Sequence, residues 1–209
     1  MASALRHGEI LSDTASDAVE SPSAGAAPSI RLPKLLLHCC CAPCSSYALE
    51  CLSPDYSITA LFYNPNIKPA EEYDKRAGEM GKLLSSACYP NGVDLLVVDH
   101  GGSAFDALAG PFMDEPEGGR RCRMCFELRL GEAARLARDG GCDFFATTLS
   151  VSPHKDAAVI SDVGGKIALE YGIGYLPADF KKRGGYARSV ELSKLYGLYR
   201  QGYCGCRPR

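Results

Sequence analysis

The chain of 209 residues has no continuous apolar run of membrane-spanning length, and no membrane association is expected. Its opening stretch, MASALRHGEILSDTASDAVESPSAGAAPSI, lacks the apolar core of a secretory signal peptide and carries the acidic residues that organelle transit peptides avoid. A reducing compartment, the cytoplasm, is therefore expected, and a secreted disulfide scaffold is excluded as the reason for its cysteines. An excess of charge of one sign is also missing. The net charge is −2, which by itself argues neither for nor against a nucleic-acid partner. There is no internal repeat.

Cysteine is abundant and clustered. Eight of the eleven fall into three tight groups: Cys39, Cys40, Cys41 and Cys44 in HCCCAPC, Cys122 and Cys125 in RCRMC, and Cys204 and Cys206 in YCGC. Neighbours this close in sequence cannot form ordinary long-range staples. Several thiolates brought together hold a soft metal, either zinc or an iron–sulfur cluster.

An apolar fraction of 46% supports a full hydrophobic core. Residues 1–30, rich in Ala, Ser and Asp without apolar periodicity, read as a disordered leader, and residues 31–209 as a single α/β domain. Within it, apolar runs at 34–38, 57–64, 93–99 and 142–148 predict strands whose unbroken hydrophobicity suits a parallel sheet buried on both faces. The intervening amphipathic stretches predict helices, with Pro69 in a first turn and Gly140 and Gly172 as stops. Strands alternating with helices imply a doubly wound parallel sheet, whose ligands gather at the carboxyl ends of the strands. HCCCAPC, NPN (64–66), DHGG (99–102) and TTLSVSPHK follow the four strands in turn, and RCRMC opens a helix after a Gly/Pro-rich loop.

Cys40 and Cys41 would face opposite sides in a strand, but in a loop entering a helix both can reach one centre. Cys39 ends the strand at an apolar position and is expected in the core, as are Cys51, Cys88 and Cys142. Spacing alone pairs Cys41-x-x-Cys44 with Cys122-x-x-Cys125, a pattern open to zinc as well as to a cluster. The intervening stretch is too long for a zinc ribbon, and a structural zinc would be out of place at the ligand edge of a sheet. Cys204-Gly205-Cys206 can close only a small, strained and readily reduced ring, with Gly205 supplying backbone freedom. Additional metal ligation is the competing reading.

Eight basic residues against the single acid Glu191 make the segment from about Lys181 to Arg209 a basic patch, a short helical C-terminal extension. Tyr186, Tyr196, Tyr199 and Tyr203 are interleaved with its charges, a combination suited to single-stranded or loop RNA. The plainer reading is a helix that packs Leu192, Leu195 and Leu198 on the core with Lys194 and Arg200 solvated.

HCCCAPCS, FYNPNIKPAEEYDKR, RCRMCFELRL, TTLSVSP and YRQGYCGC, in this order, resemble the cobalamin-independent epoxyqueuosine reductases of the QueH family. The resemblance runs from about residue 34 to 206. It implies a fold similar to the adenine-nucleotide α-hydrolase (HUP-like) type. It implies reduction of epoxyqueuosine to queuosine at the wobble position of tRNAs with a GUN anticodon, the final step of queuosine synthesis. It also implies a [4Fe-4S] cluster on Cys40, Cys41, Cys122 and Cys125 and a redox-active pair at Cys204 and Cys206. Room is left for a second, mononuclear iron, and the role of Cys44 stays open. The electron donor is unidentified.

Removing an epoxide oxygen as water requires two electrons and two protons; a dithiol delivers both electrons as it becomes a disulfide. His38, His100 and His154 all fall near strand ends, where a histidine can donate a proton, although a lone histidine is more often structural; His38, Asp99 and Asp143 are the candidates for the acid that protonates the leaving oxygen, by strand-end position only. Two other classes remain. A tRNA thiolation enzyme would carry a glycine/serine-rich phosphate loop after the first strand, where this chain has Cys-Cys-Cys-Ala-Pro-Cys. A zinc-stabilised RNA-binding module would hold zinc and no iron.

Overall fold

The computed structural model describes residues 31–206; the leader expected at 1–30, and Arg207 and Arg209 of the basic tail, lie outside them. Five strands, β1 (Lys34–His38), β2 (Ser57–Phe62), β3 (Val93–Val97), β4 (Phe144–Thr147) and β5 (Gly174–Tyr175), form one sheet in the order β3-β2-β1-β4-β5. All pairings are parallel, with Leu36 opposite Thr59 on one side and Phe145 on the other. Among the described residues the α-helices are α1 (Ala42–Leu52), α2 (Ala70–Ser86), α3 (Gly102–Ala109), α4 (Arg120–Asp139), α5 (Ala157–Tyr171) and α6 (Gly185–Leu195).

The order explains the layers. From β1 the chain winds outward through β2 to β3, then returns to lay β4 on the opposite side of β1. Right-handed crossovers therefore put α1 and α2 on one face and α4 and α5 on the other. Successive residues of a strand face opposite ways. Leu35 and Leu37 join Ile58, Ala60, Phe62, Leu49 and Met80 in one core, while Leu36 joins Leu61, Phe145, Leu130 and Ile160 in the other. The reversal falls between the ends of β1 and β4, where His38 pairs with Thr147.

The expected doubly wound α/β architecture is present, with differences in detail. A two-residue β5 and the eight-residue α3 carry too little periodicity to be read from sequence. Strand β3 is not buried on both faces: as an edge strand it leaves Leu95, Leu96 and Val97 exposed. Pro69 precedes α2 as its cap, and Gly140 and Gly172 stop α4 and α5, the latter in the left-handed conformation at φ 65°. Helix α6 packs on α1. Its apolar face is shorter than expected: Leu192 is buried, Leu195 is 70% exposed, and Leu198 reaches the core only after the helix has ended. Cys51 and Cys88 are exposed rather than in the core, because Cys51 falls on the outward side of α1 beside Glu50 and Cys88 lies beyond the end of α2.

Two glycines are predicted to respond oppositely to substitution. A Cβ at Gly185 would sit 1.8 Å from the carbonyl oxygen of Phe180, whereas one at Gly81, inside α2, meets nothing within 4 Å. Gly185→Ala should lose about 1–3 kcal/mol through overpacking, and Gly81→Ala should gain up to about 1 kcal/mol from helix propensity. Denaturant melts of both variants check the signs.

Candidate metal and dithiol site

The carboxyl end of β1 carries the first cysteine group. Cys39 N–H still donates to the sheet, at 2.8 Å from Leu61 O; its side chain is fully buried and burial pushes its thiol well up, as expected of a core residue. The chain then leaves the sheet. Cys40 N–H donates to Thr148 Oγ1 at 3.0 Å and the Thr148 hydroxyl donates back to Cys40 Sγ at 3.3 Å, tying the loop after β1 to the loop after β4. Cys41 caps α1 in an extended conformation, its Sγ accepting from Cys44 N–H at 3.4 Å, with Pro43 in the first turn. This cap turns all three side chains the same way. The sulfurs of Cys40 and Cys41 are 3.9 Å apart, and those of Cys40, Cys41 and Cys44 all lie within 4.8 Å of one another, so the trio could hold a metal ion.

Within the trio, hydrogen bonding favours the thiolate form of Cys40 over those of Cys41 and Cys44. Hydrogen bonds from Cys41 and Cys44 hold the Cys40 thiol well below its ordinary range, aided by the Arg129 guanidinium, and burial opposes them. The same hydrogen bonding pushes Cys41 up to about 12 and Cys44 well above its ordinary value. Arg129, on α4 and 3% exposed, is the central cation. It donates from Nη2 to Asn64 Oδ1, approaches Cys125 Sγ at 3.9 Å, and sets Nε 3.3 Å from His38 Nε2.

Cys122 and Cys125 sit three residues apart in the first turns of α4, hence on one side of it. They lie outside the tight trio. With Cys204, Cys206, Arg121 and Lys155 they line a small adjoining pocket, and Cys204 lines both this pocket and the main cavity that holds Cys40, Cys41 and Cys44. Cys122 Sγ accepts from Gly118 N–H at 3.2 Å, and burial raises the Cys125 thiol despite Arg129.

Cys204 and Cys206 are free thiols with sulfurs 3.5 Å apart. The hydrogen bond from Cys206 lowers Cys204 to about 5 against the opposition of burial, with Lys155 and Arg129 adding to the effect, while Cys206 is pushed far up. The dithiol is thus a thiolate–thiol pair near neutral pH. Lys155 is its counterpart: burial disfavours its charge, but the Cys204 and Cys40 thiolates outweigh that and raise its pKa. Gly205 is needed for a reason other than backbone freedom. Its φ is ordinary, but a Cβ would meet the Ile67 side chain at 2.9 Å and its Cα at 3.0 Å, and Gly205 O accepts from Lys68 N–H at 3.0 Å. The segment lies flat on the loop that follows β2.

Two proton-donor candidates change standing. Asp143 precedes β4 and its carboxylate accepts from Lys34 N–H at 2.7 Å, on the amino edge of the sheet and away from the thiols. His38 is fully buried beside Cys40, its pKa lowered to about 3 by burial and by Arg129, so it is neutral near pH 7. His154 lines the main cavity, whereas His100 turns its ring to the Ile67 carbonyl. Arg129, Lys155, Asn66, Arg76 and Gln201 also line that cavity and none stands out in sequence. Each is embedded in a motif that draws attention for other residues.

The basic tail folds over this edge. Arg200 Nη1 donates to Ser193 Oγ at 3.0 Å and its guanidinium lies over Tyr186, 5.8 Å from the ring centroid; Arg76 lies over Tyr203 at 5.1 Å. Arg200 is therefore part of the cavity wall rather than a solvated charge. The electrostatics predict that alkylation of Cys204, followed by peptide mass mapping, has a midpoint near pH 5. Cys206→Ala should raise that midpoint more than Lys155→Met does, because the Cys206 hydrogen bond is the larger contributor.

Comparison with known proteins matches this chain to one family. The family model described as epoxyqueuosine reductase QueH covers residues 35–207. An epoxyqueuosine reductase QueH from Streptococcus pyogenes is 45% identical over 176 residues, covering 83% of this chain and 69% of the relative. One from Staphylococcus epidermidis is 41% identical, covering 83% and 75%, and one from Thermotoga maritima 34% identical, covering 82% and 88%. With a matching model over nearly the whole described chain and relatives of this similarity, the chain belongs to the epoxyqueuosine reductase QueH family.

Proposed function

We propose that this protein reduces epoxyqueuosine to queuosine at the wobble position of tRNAs with a GUN anticodon, in the cytoplasm, as the last step of queuosine biosynthesis. The observation that carries the reading is the cavity itself. Cys40, Cys41, Cys44 and Cys204 line it together with basic and tyrosine side chains, so redox sulfur and an RNA-facing wall share one space. Residues 31–209 act as one reductase domain, the basic extension from about 181 closing that wall.

In this reading Cys40, Cys41, Cys122 and Cys125 hold a [4Fe-4S] cluster, and Cys44, beside the first two, is available to a second, mononuclear iron. The donor chemistry supports this reading: Cys40 and Cys41 line the main cavity and Cys122 and Cys125 the adjoining pocket, the two share Cys204, Arg129 and Lys155, and the two cations would offset the negative charge that thiolate ligation brings. A cluster there would supply one-electron transfer at a soft Lewis-acidic centre. The chain's own residues do the rest. Cys204 and Cys206 together give two electrons as they join in a disulfide, and the epoxide oxygen leaves as water after taking up two protons. The Cys206 thiol brings one proton, and Lys155, on the wall shared with Cys204, is placed to hold the other. An external electron donor, unidentified, then restores the dithiol.

Incubation with epoxyqueuosine-containing tRNA and a reductant, followed by nucleoside mass analysis, tests the activity: queuosine should appear. Cys204→Ser and Cys206→Ser proteins, reconstituted with iron and sulfide, should lose activity by about 100-fold or more, a loss of about 2.7 kcal/mol of transition-state stabilisation. Normal turnover by either would remove the dithiol from the mechanism. Anaerobic purification should give a brown protein whose iron falls in Cys40→Ala and Cys122→Ala. A colourless protein with stoichiometric zinc would instead remove the reductase reading.

A further inference from the structure

The dithiol rides on a stretch of chain that belongs to no helix or strand. From Tyr199 to Cys206 the backbone is irregular, and side chains of α2 hold it in place. Glu79 accepts from Tyr199 N–H at 2.7 Å, Glu72 accepts from the Tyr199 hydroxyl at 3.3 Å, Lys75 Nζ stands 3.5 Å from the centroid of the Tyr199 ring, and the Arg76 guanidinium lies over Tyr203. Positions 72, 75, 76 and 79 are i, i+3, i+4 and i+7, so one side of α2 forms a charged cradle for this segment. Arg200 adds a bond to Ser193 on α6. The ends are fixed differently. Leu198 is buried in the core just after Gly197 turns the chain in the left-handed conformation at φ 59°, and Gly205 lies against Ile67. Polar contacts of the cradle kind hold weakly one by one, and segments that depend on them open before the core does.

What the segment carries gives such opening a use. Cys206 is 5% exposed and packs with Phe105 and Ala109 of α3, while Cys204 faces the main cavity and the smaller pocket. A cavity of about 350 Å³ admits a small molecule and not the body of a protein. A protein donor therefore reaches neither sulfur while the segment lies on α2. We propose that residues 199–206 form a strap that lifts from α2 to present the oxidised Cys204–Cys206 pair to an external protein dithiol and settles back once the pair is reduced. The proposal rests on the reading of these two cysteines as the redox couple of the reductase. In the exchange, a donor thiolate attacks one sulfur of the pair, the S–S bond breaks and the other sulfur leaves as a thiolate. The donor's second thiol then displaces the first from the mixed disulfide. The donor ends as a disulfide, its two electrons rest on the Cys204–Cys206 dithiol, and its protons pass to that dithiol or to water. The free thiols seen here, with the strap in its cradle, correspond to the reduced resting position.

The test follows re-reduction in the full chain as purified anaerobically. The pair is oxidised with stoichiometric diamide, and loss of the disulfide is followed by alkylation and peptide mass mapping, with thioredoxin as the protein donor and dithiothreitol as the small one. Thioredoxin should reduce Glu79→Ala about fivefold faster than wild type and Lys75→Ala about threefold faster, because each change weakens the cradle. Dithiothreitol, which enters the cavity with the strap in place, should show a smaller change. Glu79→Gln keeps an acceptor oxygen and should stay near the wild-type rate, as should Lys166→Ala on α5; equal melting temperatures show that the variants fold. Amide hydrogen exchange over residues 199–206 should rise together with the reduction rate. No reduction by thioredoxin, equal rates in wild type and both alanine variants, or faster reduction without faster exchange overturns the strap. Turnover of epoxyqueuosine-containing tRNA is measured separately. Gated reduction without turnover removes the reductase reading and leaves the strap, whereas turnover without gated reduction removes the strap alone.

Discussion

The buried guanidinium of Arg129 is the constraint around which this molecule is arranged. It touches His38 at the end of β1, Asn64 beyond β2 and Cys125 on its own helix, and none of these partners is a carboxylate. A buried cation is tolerated only with compensating charge and hydrogen bonds. Here the compensation is thiolate: the Cys40 thiolate lies under the influence of Arg129, and Cys204 feels it too. Cation and thiolates depend on each other, so the site's sulfur chemistry is built into the packing of the sheet edge. Burial, with help from the same cation, keeps His38 neutral, which makes that histidine a support for the site rather than a source of protons.

The doubly wound topology supplies the place where this can happen. Loops leaving β1 and β4 part at the reversal of strand order, and the crevice between them receives α4 from one side and the C-terminal segment from the other. Thr148 stitches the two loops through Cys40. Gly205 lets the dithiol segment lie against Ile67 closely enough for Cys204 to face both the main cavity and the smaller pocket of Cys122 and Cys125.

Much of this was legible along the chain because it rests on short-range rules. Four strands follow from apolar runs, the helix stops from Gly140 and Gly172, and the convergence of Cys40 with Cys41 from a loop entering a helix. The misreadings share a different origin. Edge exposure of β3, the outward aspect of Cys51, the solvated Leu195 and the wrong-edge position of Asp143 are all properties of where an element sits, and hydrophobicity alone does not distinguish a central strand from an edge one. The cavity residues Arg129, Lys155, Asn66, Arg76 and Gln201 lie inside four of the quoted motifs, but nothing in residue type or spacing singles them out from their neighbours there.

By itself the sequence determined the parallel α/β framework, the three cysteine groups, the basic and tyrosine-rich tail, and through its motifs the family. Those depend on composition, periodicity and spacing, which a linear chain carries in full. Only the tertiary structure decided that Cys44 stands with Cys40 and Cys41, that Cys204 rather than Cys206 is the thiolate, and that the tail walls the cavity. A pKa and a cavity each arise from atoms distant in sequence brought within a few ångströms, and burial then magnifies their interactions.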